Sequence, residues 1–433
     1  MATRGLGQSL FVGHRRWVLL AAVAGLALRV AWVVYASRAP LGLFDPARYG
    51  GYADRIADGL GYSQFTSGDP TAYYPPGYPF FLGAVEWVTR LMPLPDDLPL
   101  VAGLVQAVLG AATVALAAAI AHRLAGPVAA VTAAVGVAIY PNLVFHTGAL
   151  LSETLYNALF LGALAVLVWR PWSQGLPTGR LVGAAALFGG AVMVRPISLA
   201  VLAALAVAWW FDARDIKVVL RRLAIFGAVV ALFMAPWTVR NLVRLDAFVL
   251  LSTNTGDNLC IGHHPGASGA FDLGPECDTG ESTADGAAAE VRHDRELTDR
   301  ALAFARRHPG EELALVGRRA RVMVRNDHDG LVAVQSYGED DFIPEGRETL
   351  LARVADGAWY LVAGVGLVGL FLLARPRRPE GLLVVLAVVA TMAVPLAFFG
   401  DPRFKVPAVP LLVVAAAVAV AELRGHGSRR RAA

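Results

Sequence analysis

Apolar residues along this chain gather into long blocks separated by polar stretches, rather than recurring as one stripe in three or four. Blocks of that kind are read as membrane-spanning helices. The first is Trp17–Tyr35. Others follow at Leu98–Ala121, Val128–Phe145, Thr154–Trp169, Leu181–Val194, Ile197–Phe211 and Leu223–Val239, and then at Ala355–Ala374, Gly381–Phe398 and Val406–Leu423. The pattern predicts an all-α polytopic membrane protein of about ten transmembrane helices. The first loop differs from the rest. Ala47–Leu60 carries Tyr49, Tyr52, Ala53, Ile56 and Ala57 on one helical face, the mark of a helix lying in the interface. Phe80–Met92 is apolar but short, set up by Pro75, Pro76 and Pro79, and is predicted as a second interfacial helix.

Basic residues decide the orientation. Arg123, Arg170, Arg180, Arg214, Lys217, Arg221, Arg222 and Arg424 fall on one side of this arrangement, while the short connections opposite hold few. The positive-inside rule then places both termini in the cytoplasm of a multi-pass plasma-membrane protein. Three regions result. Residues 1–239 form an N-terminal membrane region with its first outer loop at 37–97. Residues 240–353 form a large outer segment, and 354–433 carry the last helices and a basic tail. A cleaved signal peptide is the alternative for the first block, but its length and the lack of a clear small-residue cleavage site favour a transmembrane helix.

Composition agrees and narrows the chemistry. Of 433 residues 56% are hydrophobic, and the mean hydropathy is +0.53. The formal charge of +4 says less than the placement of the arginines. No His/Cys spacing builds a metal site, and no nucleic-acid motif is present. The two cysteines, Cys260 and Cys277, both fall in the large outer segment, where a disulfide is expected.

Ionisable groups cluster at helix ends on the predicted outer side, where each is costly unless paired or facing water. Asp45 lies where the first block gives way to polar sequence, with Arg48 and Tyr49 one turn on. A carboxylate there suits the removal of a proton from an acceptor hydroxyl, which makes Asp45 the candidate base. Glu153, opening a later helix, is a second candidate catalytic carboxylate, although negative charge at a helix start is favourable in any case. Arg195, Arg240, Arg403 and Lys405 offer cations to a phosphate leaving group. Tyr74 and His146 complete the candidate substrate-binding set with Arg48 and Tyr49.

In these residues the chain resembles glycosyltransferase family 39, a group within the GT-C class that includes protein O-mannosyltransferases and the aminoarabinose transferase of lipid A. The likeness rests on D-P-A-R-Y at 45–49, Y-Y-P-P-G-Y-P at 73–79 and S-E-T-L-Y at 152–156. It continues through V-R-P at 194–196, P-W-T-V-R-N at 236–241 and R-F-K-V-P at 403–407. Many relatives have a second acidic residue where this chain has Pro46, and the first loop here lacks lysine. The resemblance implies a GT-C fold and a polyprenyl-phosphate sugar donor. It implies transfer with inversion on the outer face, to a hydroxyl of a lipid, glycan or protein. It implies Asp45 as catalytic carboxylate, with Arg48 close by and Arg240 toward the donor phosphate. That scheme requires no cofactor, although some enzymes of the class use a divalent metal. A lipid-linked-saccharide flippase would instead show inverted repeats and mid-membrane charges. A surface-polysaccharide ligase is the nearest enzymatic alternative.

Overall fold

The computed structural model describes residues 3–93, 95–280, 285–374 and 378–431. Helices account for its regular structure, and among the described residues β pairing is confined to one isolated bridge between Ser63 and Pro70. The order is α1 (Thr3–Ala36), α2 (Asp45–Ala57), α3 (Gly77–Leu91), α4 (Leu98–Ile139), α5 (Pro141–Phe145), α6 (Glu153–Val168), α7 (Thr178–Val194), α8 (Val201–Ala213) and α9 (Ile216–Arg244). Then come α10 (Thr255–Gly262), α11 (Ala287–Arg307), α12 (Pro309–Val324), α13 (Asp329–Val334), α14 (Glu345–Leu373), α15 (Pro379–Ala393) and α16 (Val409–Arg431).

Among the described residues seven helical stretches are long and apolar enough to cross a membrane: Gly13–Ala36, Leu98–Ile139, Pro196–Ala213, Ile216–Arg244, Glu345–Leu373, Pro379–Ala397 and Pro402–Arg424. This is a multi-pass membrane protein. The count by length and composition differs from the expected ten for two reasons. The predicted helices Leu98–Ala121 and Val128–Phe145 are both present but count as one stretch, because they meet at a kink within α4, and the second stops at Ile139 rather than Phe145. The apolar helices Glu153–Val168 and Thr178–Val194 are shorter than a standard span. The bend in α4 falls at Ala125, Gly126 and Pro127, where Gly126 adopts φ +82°. A left-handed glycine followed by proline interrupts the hydrogen-bond ladder, so each arm has its own direction.

Around the bent α4 pack α1, α6 and α16, and α16 in turn packs on α14. On the other flank α6 meets α7, α7 meets α9, and α8 meets α15. Small residues make these contacts close: Ala117, Ala121, Ala129, Ala133 and Ala134 of α4 are fully buried. The interfacial pair α2 and α3 packs against itself, and the start of α3 reaches α7. There Gly77 allows a main-chain approach, since a Cβ would lie 2.7 Å from the Met193 carbonyl. α2 buries Pro46 and, from the face its periodicity predicted, Tyr49, Tyr52 and Ala53, while Ile56 and Ala57 are half-buried. The segment between α9 and α14 covers this end of the bundle, with α10 packed on α11.

Candidate active site

Asp45 opens α2, with Pro46 preset for the first helical turn. Its Oδ1 accepts a hydrogen bond from the Tyr74 hydroxyl at 2.6 Å, and its Oδ2 one from Arg403 Nη1 at 2.5 Å. Its side chain remains 31% exposed. Arg403 lies on a tight turn, Pro402–Ala408, that leads into α16, and Asp401 caps that turn by accepting from the Arg403 amide at 2.8 Å. The same guanidinium bonds Glu153 Oε1 through Nε, and Arg195 Nη1 bonds that oxygen too. Glu153 is fully enclosed at the first turn of α6. Two carboxylates and two guanidinia thus form one alternating chain, Asp45–Arg403–Glu153–Arg195. Pairing of this kind is what makes buried charge tolerable.

Aromatic rings wall the group. Tyr49 stands 4.8 Å from Tyr74 and 4.9 Å from Tyr78, centroid to centroid. Burial, and then the neighbouring Asp45, raises the Tyr74 phenol well above its ordinary pKa, so it stays a proton donor toward that carboxylate. The Tyr337 hydroxyl lies 3.4 Å from Arg403 Nη1, and its ring packs on Phe44 at 5.2 Å. Ser336 and Tyr337 both have positive φ, 47° and 54°. Such strain in non-glycine residues costs on the order of 1–3 kcal/mol each and persists where the surroundings enforce it. Arg48 gives its Nε to the Leu43 carbonyl at 3.0 Å and lies 5.3 Å from the Tyr73 ring centroid. Among the described residues no side chain takes up its terminal nitrogens.

Arg240 and Lys405 are placed otherwise. Arg240 bonds the Tyr62 carbonyl and, at 2.6 Å, the Thr71 carbonyl, with its guanidinium 4.7 Å from the Trp237 ring centroid. It holds the first loop and lines a cavity of about 760 Å³ with Arg244, Tyr62, Phe80, Phe233 and Trp237. Lys405 is buried with Asp327, 2.8 Å from Oδ1, and also bonds the Asn326 and Pro402 carbonyls. Tyr140 and Asn142 donate to the same Asp327, and Asn142 to Asp329. His146 belongs to this second network, with Nε2 3.2 Å from Asp329 Oδ2. Burial lowers the His146 pKa, but Asp329 more than offsets it, and the net shift is upward. Burial likewise raises the Asp329 pKa, yet His146 beside it leaves it net lowered.

The structure thus gathers Asp45, Tyr49, Tyr74, Glu153, Arg195 and Arg403, keeps Arg48 beside them, and puts His146, Lys405 and Arg240 into neighbouring networks. Sequence reasoning missed Tyr140, Asn142, Glu290, Asp327, Asp329 and Tyr337. Glu290, Asp327, Asp329 and Tyr337 lie in a polar segment where no spacing distinguishes a buried group from a solvated one, and Tyr140 and Asn142 sit inside the apolar block Val128–Phe145. Cys260 and Cys277 are joined by a disulfide, with Cα atoms 5.8 Å apart. Among the described residues no group of three or more His, Cys, Asp or Glu side chains forms a metal-binding cluster.

The architecture is similar to that of two solved proteins. The apo structure of ArnT from Cupriavidus metallidurans matches with a TM-score of 0.59 and 16% identity, over 96% of this chain and 62% of ArnT. ArnT bound to undecaprenyl phosphate gives a TM-score of 0.55 at 16% identity, over 93% of this chain and 60% of that one. The Archaeoglobus fulgidus oligosaccharyltransferase in its apo form gives 0.57 at 16% identity, over 97% of this chain and 51% of that one. The chain therefore spans between half and two thirds of the length of these structures. No family model and no curated protein matches its sequence. The likeness establishes the fold: this is a GT-C fold.

Proposed function

We propose that the protein is an inverting glycosyltransferase that moves a sugar from a polyprenyl-phosphate donor to an acceptor hydroxyl. The carrying observation is Asp45. It is a partly exposed carboxylate at a helix start, oriented on both oxygens by Tyr74 and Arg403. The fold supports the reading, because one neighbour was solved with undecaprenyl phosphate and the other, in a further structure, with an inhibitory peptide and a dolichol-phosphate. In this reading about ten helices span the plasma membrane, both termini are cytoplasmic and the site faces outward.

The acceptor hydroxyl gives its proton to Asp45 as its oxygen bonds the anomeric carbon. The carbon–oxygen bond to phosphate breaks on the opposite face, and its electron pair leaves with the phosphate. A phosphate leaves without protonation, so one carboxylate suffices, unlike the paired acids of glycoside hydrolysis. Arg48, with its terminal nitrogens unengaged, is the cation placed to meet the departing charge. Glu153 is sealed from solvent and holds Arg403 and Arg195, which makes it the anchor of the site rather than a second base.

The test is transfer of radiolabelled sugar from membrane polyprenyl-phosphate donors by the purified protein, wild type against Asp45→Asn. Loss of a general base lowers turnover by about 10²–10⁴-fold, and donor binding is expected to persist. Transfer that survives the substitution removes Asp45 from the mechanism. Binding without transfer by either protein turns the reading toward a carrier of lipid-linked saccharide.

A further inference from the structure

Glu290 is a carboxylate in the first turn of α11 and is 1% exposed. Among the described residues no lysine or arginine pairs with it. Enclosing a charge without a cation is costly unless hydrogen bonds replace its hydration. Four neutral donors do so here. Thr71 Oγ1 lies 2.5 Å from Oε2 and Gln64 Nε2 3.2 Å from the same oxygen. The Ala72 amide lies 2.9 Å from Oε1 and Thr253 Oγ1 2.5 Å from it. Three of the four come from the first loop, and one from the stretch just before α10.

These bonds act on a very short piece of chain. Besides its bonds to Glu290, the Thr71 carbonyl accepts from Arg240, and the Ala72 carbonyl accepts from the Thr253 amide at 2.9 Å. Thr71 and Ala72 are thus fixed through side chain, amide and both carbonyls. The next two residues are Tyr73 and Tyr74. The Tyr73 hydroxyl donates to Asp257 at 2.6 Å, and Asp257 in turn meets His293 at 2.8 Å. The Tyr74 hydroxyl donates to Asp45. Two residues of extended chain span roughly 7 Å, so a shift at Ala72 arrives almost undiminished at the Tyr74 ring. A glutamine at 290 would offer one acceptor oxygen where the carboxylate offers two, and could not satisfy all four donors.

We infer that Glu290 is a positioning residue: by clamping Thr71 and Ala72 it sets the Tyr74 phenol against Asp45, and so couples α11 of the large outer segment to the base. The inference rests on the transferase reading for its effect on turnover, and on geometry alone for its effect on the loop.

The experiment combines a double-variant cycle with hydrogen exchange on the full-length protein in detergent. Glu290→Gln and Tyr74→Phe are each expected to lower kcat about tenfold or more, since hydrogen bonds to charged groups contribute enough to account for that factor. The donor KM is expected to move little. Because Glu290 acts through Tyr74, the double variant should lose no more than the more impaired of the two singles. Losses that multiply overturn the inference, as does a Glu290→Gln enzyme within twofold of wild type in kcat. Hydrogen exchange in the 70–78 peptide should quicken in Glu290→Gln while that of α16 stays unchanged. Unaltered exchange at 70–78 overturns the clamp whether or not transfer is detected. A wild-type protein that shows no transfer overturns the transferase reading instead, and the exchange result then decides Glu290 by itself.

Discussion

Replacing Lys405 by methionine removes a cation that has no contact with solvent. The ammonium has three donors, and three acceptors meet it: Asp327 Oδ1 at 2.8 Å, the Asn326 carbonyl at 2.6 Å and the Pro402 carbonyl at 2.9 Å. Both side chains of the pair are 0% exposed. At 2.8 Å and an effective dielectric constant near 20, the Coulomb attraction is about 6 kcal/mol. Desolvation of the two ions costs several kcal/mol each and cancels most of it, so the intact pair contributes little net stability. Losing one partner is another matter. Burial pushes the Asp327 carboxyl up and Lys405 opposes this, leaving it at about 6 in the intact pair; without the lysine the buried acid must either stay ionised with no cation or take up a proton, and each costs free energy. The expected destabilisation of Lys405→Met is about 3–5 kcal/mol. In melting temperature that is a fall on the order of 5–10 °C, read by tryptophan fluorescence of the purified protein in detergent. Adding Asp327→Asn removes the stranded acid yet keeps an acceptor for Tyr140 or Asn142. The double variant should regain at least half of the loss, and sugar transfer with it. A single variant as stable as wild type, or a double no better than the single, refutes the pairing argument. A double variant that is stable but does not transfer returns Lys405 to the substrate.

Three further outcomes follow from the same geometry. The raised His146 pKa means that its interaction with Asp329 stabilises the fold fully below about pH 6.5 and fades as pH climbs through the raised value. The lowered Asp329 pKa gives the opposite limb, present above about 3.8 and lost in acid. His146→Asn should flatten the alkaline decline in melting temperature between pH 6 and 9, and an unchanged slope would assign the decline to other groups. Cys260→Ser with Cys277→Ser opens a bridge across a sequence separation of 17 residues. A loss of about 3 kcal/mol is expected on the chain-entropy model, and equal melting temperatures with and without reductant would contradict it. Gly77→Ala places a Cβ 2.7 Å from the Met193 main chain. It should part α3 from α7 and lower stability by about 1–3 kcal/mol, whereas a neutral substitution would show that this approach has slack.

Much of the fold could be read from the chain because lipid imposes a simple rule: a helix that spans must be apolar along its length. The helix α2 was legible for a related reason, since it has one periodic apolar face. The short α6 and α7 depart from the expected set of spans because a missing turn leaves no mark on hydropathy. At the site, Asp45 could be named from its position, and Glu153, Arg195 and Arg403 from theirs. Their alternation on one chain of charges could not, because it is made by packing between α2, α6, α7 and the turn before α16. The protein partners of Arg240 and Lys405 could not be read, because a basic residue at a helix end has the same signature whether it meets a phosphate, a carboxylate or a carbonyl. Glu290 and Asp327 were invisible for a kindred reason. Composition cannot tell which acids of a polar segment end inside.

The contact between Asp45 and Arg403 spans 358 positions of sequence. During synthesis Asp45 therefore emerges long before the guanidinium that orients it, and the pair closes only when α16, which follows Arg403, is being inserted. Until then the ribosome carries a nascent chain whose carboxylate lacks one of its two fixed bonds. Order of emergence thus acts as a timer, because a half-made copy already holds the Asp45 carboxylate and still lacks the guanidinium that fixes one of its oxygens.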